Sequence, residues 1–196
     1  MRKKVKILMG LAALVICLLA LTGAAAAMSF SAEIVSYDAG ETTTAKFWMT
    51  DNKMRTEQDG MATILRMDKK LMWVLMLEDG MYMEYPFNPS TPKYQQSQVA
   101  TAEPATDETE RVWILNELVN TYRADKYRVN YRNQPSHYIW MSADPGLLME
   151  VKSAALDNSW WREFRKISLA APAPALFEIP PGFKKMAMQG LPNFIR

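Results

Sequence analysis

The sequence predicts a mainly β protein, a single strongly curved antiparallel sheet of about eleven strands with little helix. Two observations lead to this prediction. Turn residues recur about every ten residues along much of the chain, and the short runs between them are rich in β-branched, aromatic and Met residues. This regular spacing is typical of an antiparallel meander, and a meander this long would make one strongly curved sheet, a barrel or a sandwich.

The first half of the chain gives the clearest rhythm. Asp-Gly and related pairs suit tight hairpin turns because their residues accept positive φ. The turn signals are Asp38-Ala39-Gly40, Asp51-Asn52, Asp59-Gly60, Asp68-Lys69 and Asp79-Gly80. The strands predicted between them are Ser29–Tyr37, Thr42–Thr50, Lys53–Gln58, Met61–Met67, Leu71–Leu77 and Met81–Tyr85.

The meander stops at Pro86 and resumes later. The stretch 86–110 contains four prolines among Ser, Thr, Gln and Ala, which predicts a loop or excursion over the sheet. Arg111–Tyr122 fits a helix by its apolar spacing and a strand equally well. The strands predicted beyond it lie around Tyr127–Tyr131 and at Tyr138–Ser142, Leu147–Ser153, Trp160–Leu169 and Leu176–Ile179.

Residues 1–27 have the layout of a secretory signal peptide. A basic head precedes the apolar run Ile7–Leu21, and Ala25 and Ala27 fit a cleavage pattern that ends at Ala27. Two alternatives stay open: an uncleaved membrane anchor, and a lipid-modified Cys17. The leader holds four of the 23 basic residues and no acidic one, so its removal leaves 19 against 21, a net charge of −2.

The run Leu71–Leu77 is apolar at every position, so both faces of this strand need cover. Seven of the 13 methionines after residue 27 fall between Met54 and Met83, and methionine suits surfaces that accept varied apolar partners. Either the proline-rich excursion roofs a packed strand, or one face lines an apolar cavity. The candidate lining residues are Met61, Leu65, Met67, Met72, Trp73, Val74, Leu75, Met76, Met81 and Met83.

The sequence offers little material for catalysis. His137 is the only histidine and no cysteine follows residue 27, so neither a Cys/His pair nor a zinc set of Cys and His can form there. The eight glycines are scattered singly, without a phosphate-binding loop. No block of single-sign charge suggests nucleic acid. We therefore expect no enzyme activity, no cofactor, no metal and no nucleic-acid partner.

Four motifs carry a family resemblance. They are "KFWMTDNKMRTE" (46–57), "KYRVNYR" (126–132), "WMSADPGLLMEV" (140–151) and "ALFEIPPGFKKM" (175–186). Together they resemble an uncharacterised family of exported bacterial proteins, similar to the outer-membrane lipoprotein-sorting carriers LolA and LolB. The resemblance implies a half-open β-barrel over residues 28–186, followed by a tail, 187–196. Unlike those carriers, the chain has no long amphipathic helix after residue 27.

The resemblance also implies a function. Carriers of this type hold lipid acyl chains on an apolar concave face, so we expect a periplasmic, monomeric protein that binds lipid or acylated protein. The alternative is an envelope sensor or protein-interaction module of the same fold, with an envelope protein as its partner and no bound lipid.

Overall fold

The computed structural model describes residues 29–87 and 107–186, apart from Pro145 and Leu148. They form one open, curved sheet of 12 strands that does not close into a barrel, in agreement with the predicted fold class. The strands are β1 (Phe30–Asp38), β2 (Glu41–Thr50), β3 (Lys53–Gln58), β4 (Met61–Arg66), β5 (Leu71–Met76), β6 (Met81–Pro86), β7 (Glu108–Val119), β8 (Tyr122–Tyr131), β9 (His137–Ser142), β10 (Glu150–Ala155), β11 (Trp160–Ser168) and β12 (Lys184–Lys185).

The sheet consists of two meanders joined through the first strand. Its order is β12-β6-β5-β4-β3-β2-β1-β11-β10-β9-β8-β7. β1 pairs antiparallel with β2 on one side and with β11 on the other, so the two halves of the chain form one continuous sheet. The last strand, β12, is the exception to the antiparallel pattern, because it runs parallel to β6 at the edge.

The hairpin turns adopt the backbone conformation that their sequences predict. Asp59 and Gly60 have φ angles of 50° and 75°, and Gly80 has 61°. Glycine tolerates this left-handed region without steric cost, which is why Asp-Gly closes such turns. The predicted strand Lys53–Gln58 matches β3 at both ends. The other strands of the first half differ by one residue at one end, except Ser29–Tyr37, which is shifted by one residue at both ends relative to β1.

Two predictions in the second half are resolved by the structure. The ambiguous stretch Arg111–Tyr122 is strand, since β7 covers most of it. The predicted strand Leu176–Ile179 is wrong: the chain forms a short 3-10 helix at Pro174–Phe177 instead. Prolines at 172, 174, 180 and 181 lack the N–H that a strand ladder needs, and Pro174 suits the first turn of a helix.

The largest core cluster lies where the two meanders meet. The rings of Phe30, Phe47 and Phe164 contact one another, with centroids 5.5 to 6.4 Å apart. The hairpin between β7 and β8 reaches this region: the Asn120 side chain donates to the Glu163 carboxylate at 2.9 Å, and the backbone N–H of Ile167 donates to the Tyr122 hydroxyl at 3.1 Å.

Three predicted segments fall on residues beyond those the structure describes: the signal peptide with its cleavage at Ala27, the excursion from residue 88 to 106, and the tail 187–196. The last residues of the predicted excursion, 108–110, already belong to β7. Within the described ranges, no helix is long and apolar enough to cross a bilayer.

Candidate functional site

The strands β3 to β6 present two apolar faces with different cover. Antiparallel register fixes which side chains share a face, since directly opposed residues point the same way. On β5, Trp73 and Leu75 lie opposite Ile64 and Ala62 of β4, whereas Val74 lies opposite Thr63. We call the side of Trp73 the strap face and the side of Val74 the methionine face.

The strap face is a packed core covered by the C-terminal part of the chain. Its floor consists of Ala62, Ile64, Trp73 and Leu75, each at most 5% exposed. Residues 169–183, which we call the strap, connect β11 to β12 and lie over this floor. Phe177 of the strap is fully buried. The strap side chains that pack here are Leu176, Phe177, Ile179 and Phe183.

Arg66 fastens the strap to the sheet. Its guanidinium donates to both carboxylate oxygens of Asp68, at 2.8 and 2.6 Å, to the backbone carbonyl of Phe177 at 3.2 Å, and to the Glu178 carboxylate. This network raises the pKa of Arg66, chiefly through the hydrogen bond to Asp68, and lowers the pKa of Asp68 to about 2. Burial opposes the charge of Glu178, but Lys69 and Arg66 outweigh it and lower its pKa.

A second buried arginine holds the adjacent part of the strap. Arg55 of β3 donates from Nη1 to the backbone carbonyl of Leu176 at 3.0 Å, and its Nε donates to Glu57 at 2.7 Å. Both arginines are about 5% exposed, so the strap carbonyls receive charge-assisted hydrogen bonds in a site shielded from water.

Trp73 is fixed from the edge of the sheet. Its indole Nε1 donates to Glu84 of β6 at 2.9 Å, and Lys185 of β12 forms an ion pair with the same carboxylate at 2.7 Å. The hydrogen bonds from Lys185 and Trp73 lower the pKa of Glu84. The strap face is thus a closed core, sealed by the segment that ends in β12.

The methionine face has a different character. Register places its side chains in rows that cross the strands, for example Met54–Leu65–Met72–Tyr85. A second row contains Thr63, Val74 and Met83, and a third contains Met61, Met76 and Met81. Most of these side chains are partly exposed, and Met61 is 48% exposed. Six of the candidate residues join none of the packed clusters formed by the described residues: Met61, Met72, Val74, Met76, Met81 and Met83.

The ten candidate lining residues therefore separate into three groups. Trp73 and Leu75 belong to the strap-face core. Met67 follows β4 and packs against the large core cluster. The candidates on the methionine face are Met61, Leu65, Met72, Val74, Met76, Met81 and Met83.

Sequence reasoning missed the residues that decide this division. The hairpin pattern indicated that both faces of Leu71–Leu77 need cover, but not that the strap supplies one of them. The signal was present in the prolines that follow the predicted strand Leu176–Ile179, and in Arg55 and Arg66, which stand at inward positions of β3 and β4. One of the two alternatives for the second face was a roof formed by the excursion 86–110, and most of that stretch, residues 88–106, lies outside the described part of the chain.

A shallow groove of about 290 Å³ opens beside the β3–β4 turn. Six of its nine lining residues are charged or polar, and Met61 is the single candidate residue among the nine. This groove does not suit an acyl chain, because charged groups in the wall lose hydration when an apolar chain covers them. Its lining residues are Glu33, Thr44, Lys46, Glu57, Gln58, Asp59, Gly60, Met61 and Leu77.

His137, the only histidine of the sequence, lies against an aromatic ring. His137 stacks on Tyr131, with ring centroids 4.9 Å apart and planes 16° apart. Burial raises the pKa of Tyr131 to about 12. Over the described ranges, no three His, Cys, Asp or Glu side chains group in a way that could hold a metal ion.

Comparison with known proteins gives similarity at the level of the fold. No protein-family model matches the sequence, and no curated protein matches significantly. An uncharacterized conserved protein from Thermus thermophilus has a similar structure, with a TM-score of 0.55 and 10% identity over 81% of this chain and 90% of that chain.

Two further solved structures are more distant. MucB in complex with MucA(peri) gives a TM-score of 0.49 and 16% identity over 79% of this chain. The chain covers 55% of that MucB chain. A DUF1329 family protein from Desulfovibrio piger gives a TM-score of 0.35 and 7% identity over 79% of this chain and 91% of that chain. These similarities concern the fold.

Proposed function

We propose that this protein is an exported carrier or binding protein for apolar chains, such as lipid or the acyl chains of lipoproteins, and that the methionine face receives the chain. The observation that carries the proposal is the set of partly exposed Met and Val side chains on β4 to β6 that joins no packed cluster of described residues. Contiguous apolar surface of this kind is typical of ligand or partner sites.

The residue types support an adaptable apolar site. Methionine is unbranched and polarisable, so a surface built from it can fit chains of different length and shape. Packed cores favour branched side chains instead, as Ile64 and Leu75 illustrate on the strap face. The two faces of the same strands thus differ in composition in the way that a core and a binding surface differ.

The proposal includes an exported setting and no catalytic step. Export rests on the signal-peptide layout of residues 1–27 and on the resemblance to lipoprotein-sorting carriers. An envelope sensor or interaction module of the same fold is the second candidate, and the exposed edge of the sheet described below favours it.

Methyl NMR with labelled methionine tests the binding site directly. On titration with a saturated fatty acid, we expect the methyl signals of Met72, Met76 and Met83 to shift. The signal of Met149, which is fully buried in the core, should not move. Met83→Glu should weaken binding strongly, because a carboxylate in contact with an alkyl chain loses hydration. Leu156→Glu, at a position 46% exposed in the turn before β11, is the matched control.

Chain length provides the second readout of the same experiment. Each methylene removed from water contributes about 0.8 kcal/mol, or about fourfold in affinity, so binding should strengthen with fatty-acid length until the surface is filled. Affinity that does not depend on length, or that Met83→Glu and Leu156→Glu reduce equally, would remove the support for an acyl-chain site and leave the interaction module as the better candidate.

A further inference from the structure

Among the residues that the structure describes, strand β7 forms one end of the sheet and pairs on one side only, with β8. It is 12 residues long, and most of its side chains are exposed. Four large hydrophobic residues are exposed to solvent within the six positions 113–118. Trp113 is 57% exposed, Ile114 40%, Leu115 38% and Leu118 68%.

β7 lacks most of the features that usually protect an edge strand. Such strands are commonly short, or carry lysine or proline. The run Trp113–Leu118 contains neither, and Glu117 is its single charge. The protective features present are two irregularities in the pairing with β8, between Glu108 and Glu110 and between Trp113 and Leu115, and charged residues near the start of the strand. At the other end of the sheet, by contrast, β6 is covered by the two-residue strand Lys184–Lys185.

Two glutamates flank the apolar centre of β7 on one face. Glu110 lies opposite Asn130 and Glu117 opposite Ala124, so the two positions are six residues apart on β8 and share a face. Glu110 accepts a hydrogen bond from Asn130, and Glu117 accepts one from the indole of Trp140. Neither carboxylate forms an ion pair with any residue that the structure describes.

We propose that β7 binds an extended segment of a partner protein by β-strand addition. The segment has an apolar centre and two basic residues, six positions apart, that pair with Glu110 and Glu117. Backbone hydrogen bonds to the open edge supply affinity, and the side chains supply selectivity. This surface lies at the opposite end of the sheet from the methionine face, so the inference does not depend on the proposed ligand.

The charges favour such a partner over a second copy of this chain. In the antiparallel register that overlaps all 12 residues of β7, position 108 lies opposite position 119 of the other copy, and Glu110 therefore lies opposite Glu117. The two-fold symmetry of such a dimer places a second pair of like charges at the other end of the strand, where Glu117 lies opposite Glu110 of the other copy. Like charges directly opposed across strands destabilise the pairing, whereas opposite charges stabilise it.

A designed peptide tests the proposal with the full protein. The probe is Lys-Thr-Val-Thr-Val-Thr-Lys, whose lysines are six positions apart, and the matched control replaces both lysines with glutamate. In an amide NMR titration, we expect the lysine peptide to shift signals of β7 and to leave those of β6 unchanged. It should bind at least about threefold more tightly than the glutamate peptide.

Charge reversal separates the role of the glutamates from nonspecific binding of the peptide to the exposed hydrophobic side chains. The double variant E110K/E117K should reverse the preference between the two peptides, with an unchanged circular dichroism spectrum as the check on folding. Three results would overturn the proposal: no shift of β7 signals at millimolar peptide, an equal response to both peptides, or sedimentation showing that the wild-type protein already dimerises through β7.

Discussion

At the scale of single residues, neighbouring positions on β5 belong to different environments. Leu75 is fully buried beneath the strap, while Met76 points to the opposite face and is partly exposed. Alternation along a strand predicts that the two sets point apart. It does not predict which set is packed, because that depends on a strap that lies far along the chain, around Phe177.

This contrast gives a direct measurement of packing. Leu75→Ala should lower the free energy of unfolding by about 2–5 kcal/mol, since it removes a buried side chain and leaves a cavity. Met76→Ala should cost about 1 kcal/mol or less, because its side chain is already in partial contact with water. Urea unfolding of the two variants checks both values. Equal, large losses would mean that both faces are packed cores, and this result would contradict the proposed ligand-binding surface.

At the scale of elements, turn chemistry made the first half of the chain predictable. Asp59-Gly60 and Gly80 close hairpins through positive φ, a local property that depends on a few residues. Where local signals were balanced, as in Arg111–Tyr122, the pairing of β7 with β8 decided the outcome. The strap was not predictable, because its position depends on long-range contacts with Arg55 and Arg66.

The stability that the Arg66–Asp68 ion pair gives to the fold should depend on pH. The folded-state pKa of Asp68 is about 2, below its ordinary value of 3.8, so the Arg66–Asp68 pair stabilises the fold fully above about pH 4. That stabilisation is lost as pH falls toward 2. Since Asp68 is 35% exposed, solvent screening limits it to about 1 kcal/mol.

The variant Asp68→Asn checks this dependence. At about pH 6 it should be less stable than the wild type by about 1 kcal/mol, and the difference should disappear as the pH approaches about 2. Asp51→Asn, in an exposed turn, is the control and should show no such convergence. A difference for Asp68→Asn that stays constant across this range would exclude the ion pair as its cause.

At the scale of the whole molecule, the two meanders depend on each other through the pairing of β1 with β11. Phe164 of β11 is 1% exposed and contacts Phe30 and Phe47 from the other meander. The prediction of one sheet followed from the repeated hairpins. The junction between the halves could not be predicted, because β1 and β11 are far apart in sequence and no turn signal links them.

This junction should make unfolding cooperative. Phe164→Ala should cost about 3–5 kcal/mol and retain a single unfolding transition by circular dichroism and tryptophan fluorescence. Phe183→Ala, in the strap, is the comparison and should cost less, since Phe183 is partly exposed. Two separate transitions in the wild type would show that the meanders are independent folding units.

The unequal ends of the sheet limit how many molecules can join in a row. One end is the long strand β7, and the other finishes in Lys184 and Lys185, a strand too short and too charged to act as a template. A sheet that grows into a filament needs two receptive ends on every unit. The sheet formed by the described residues offers one such end, β7, so an assembly built by the proposed strand addition stops after a single partner has bound.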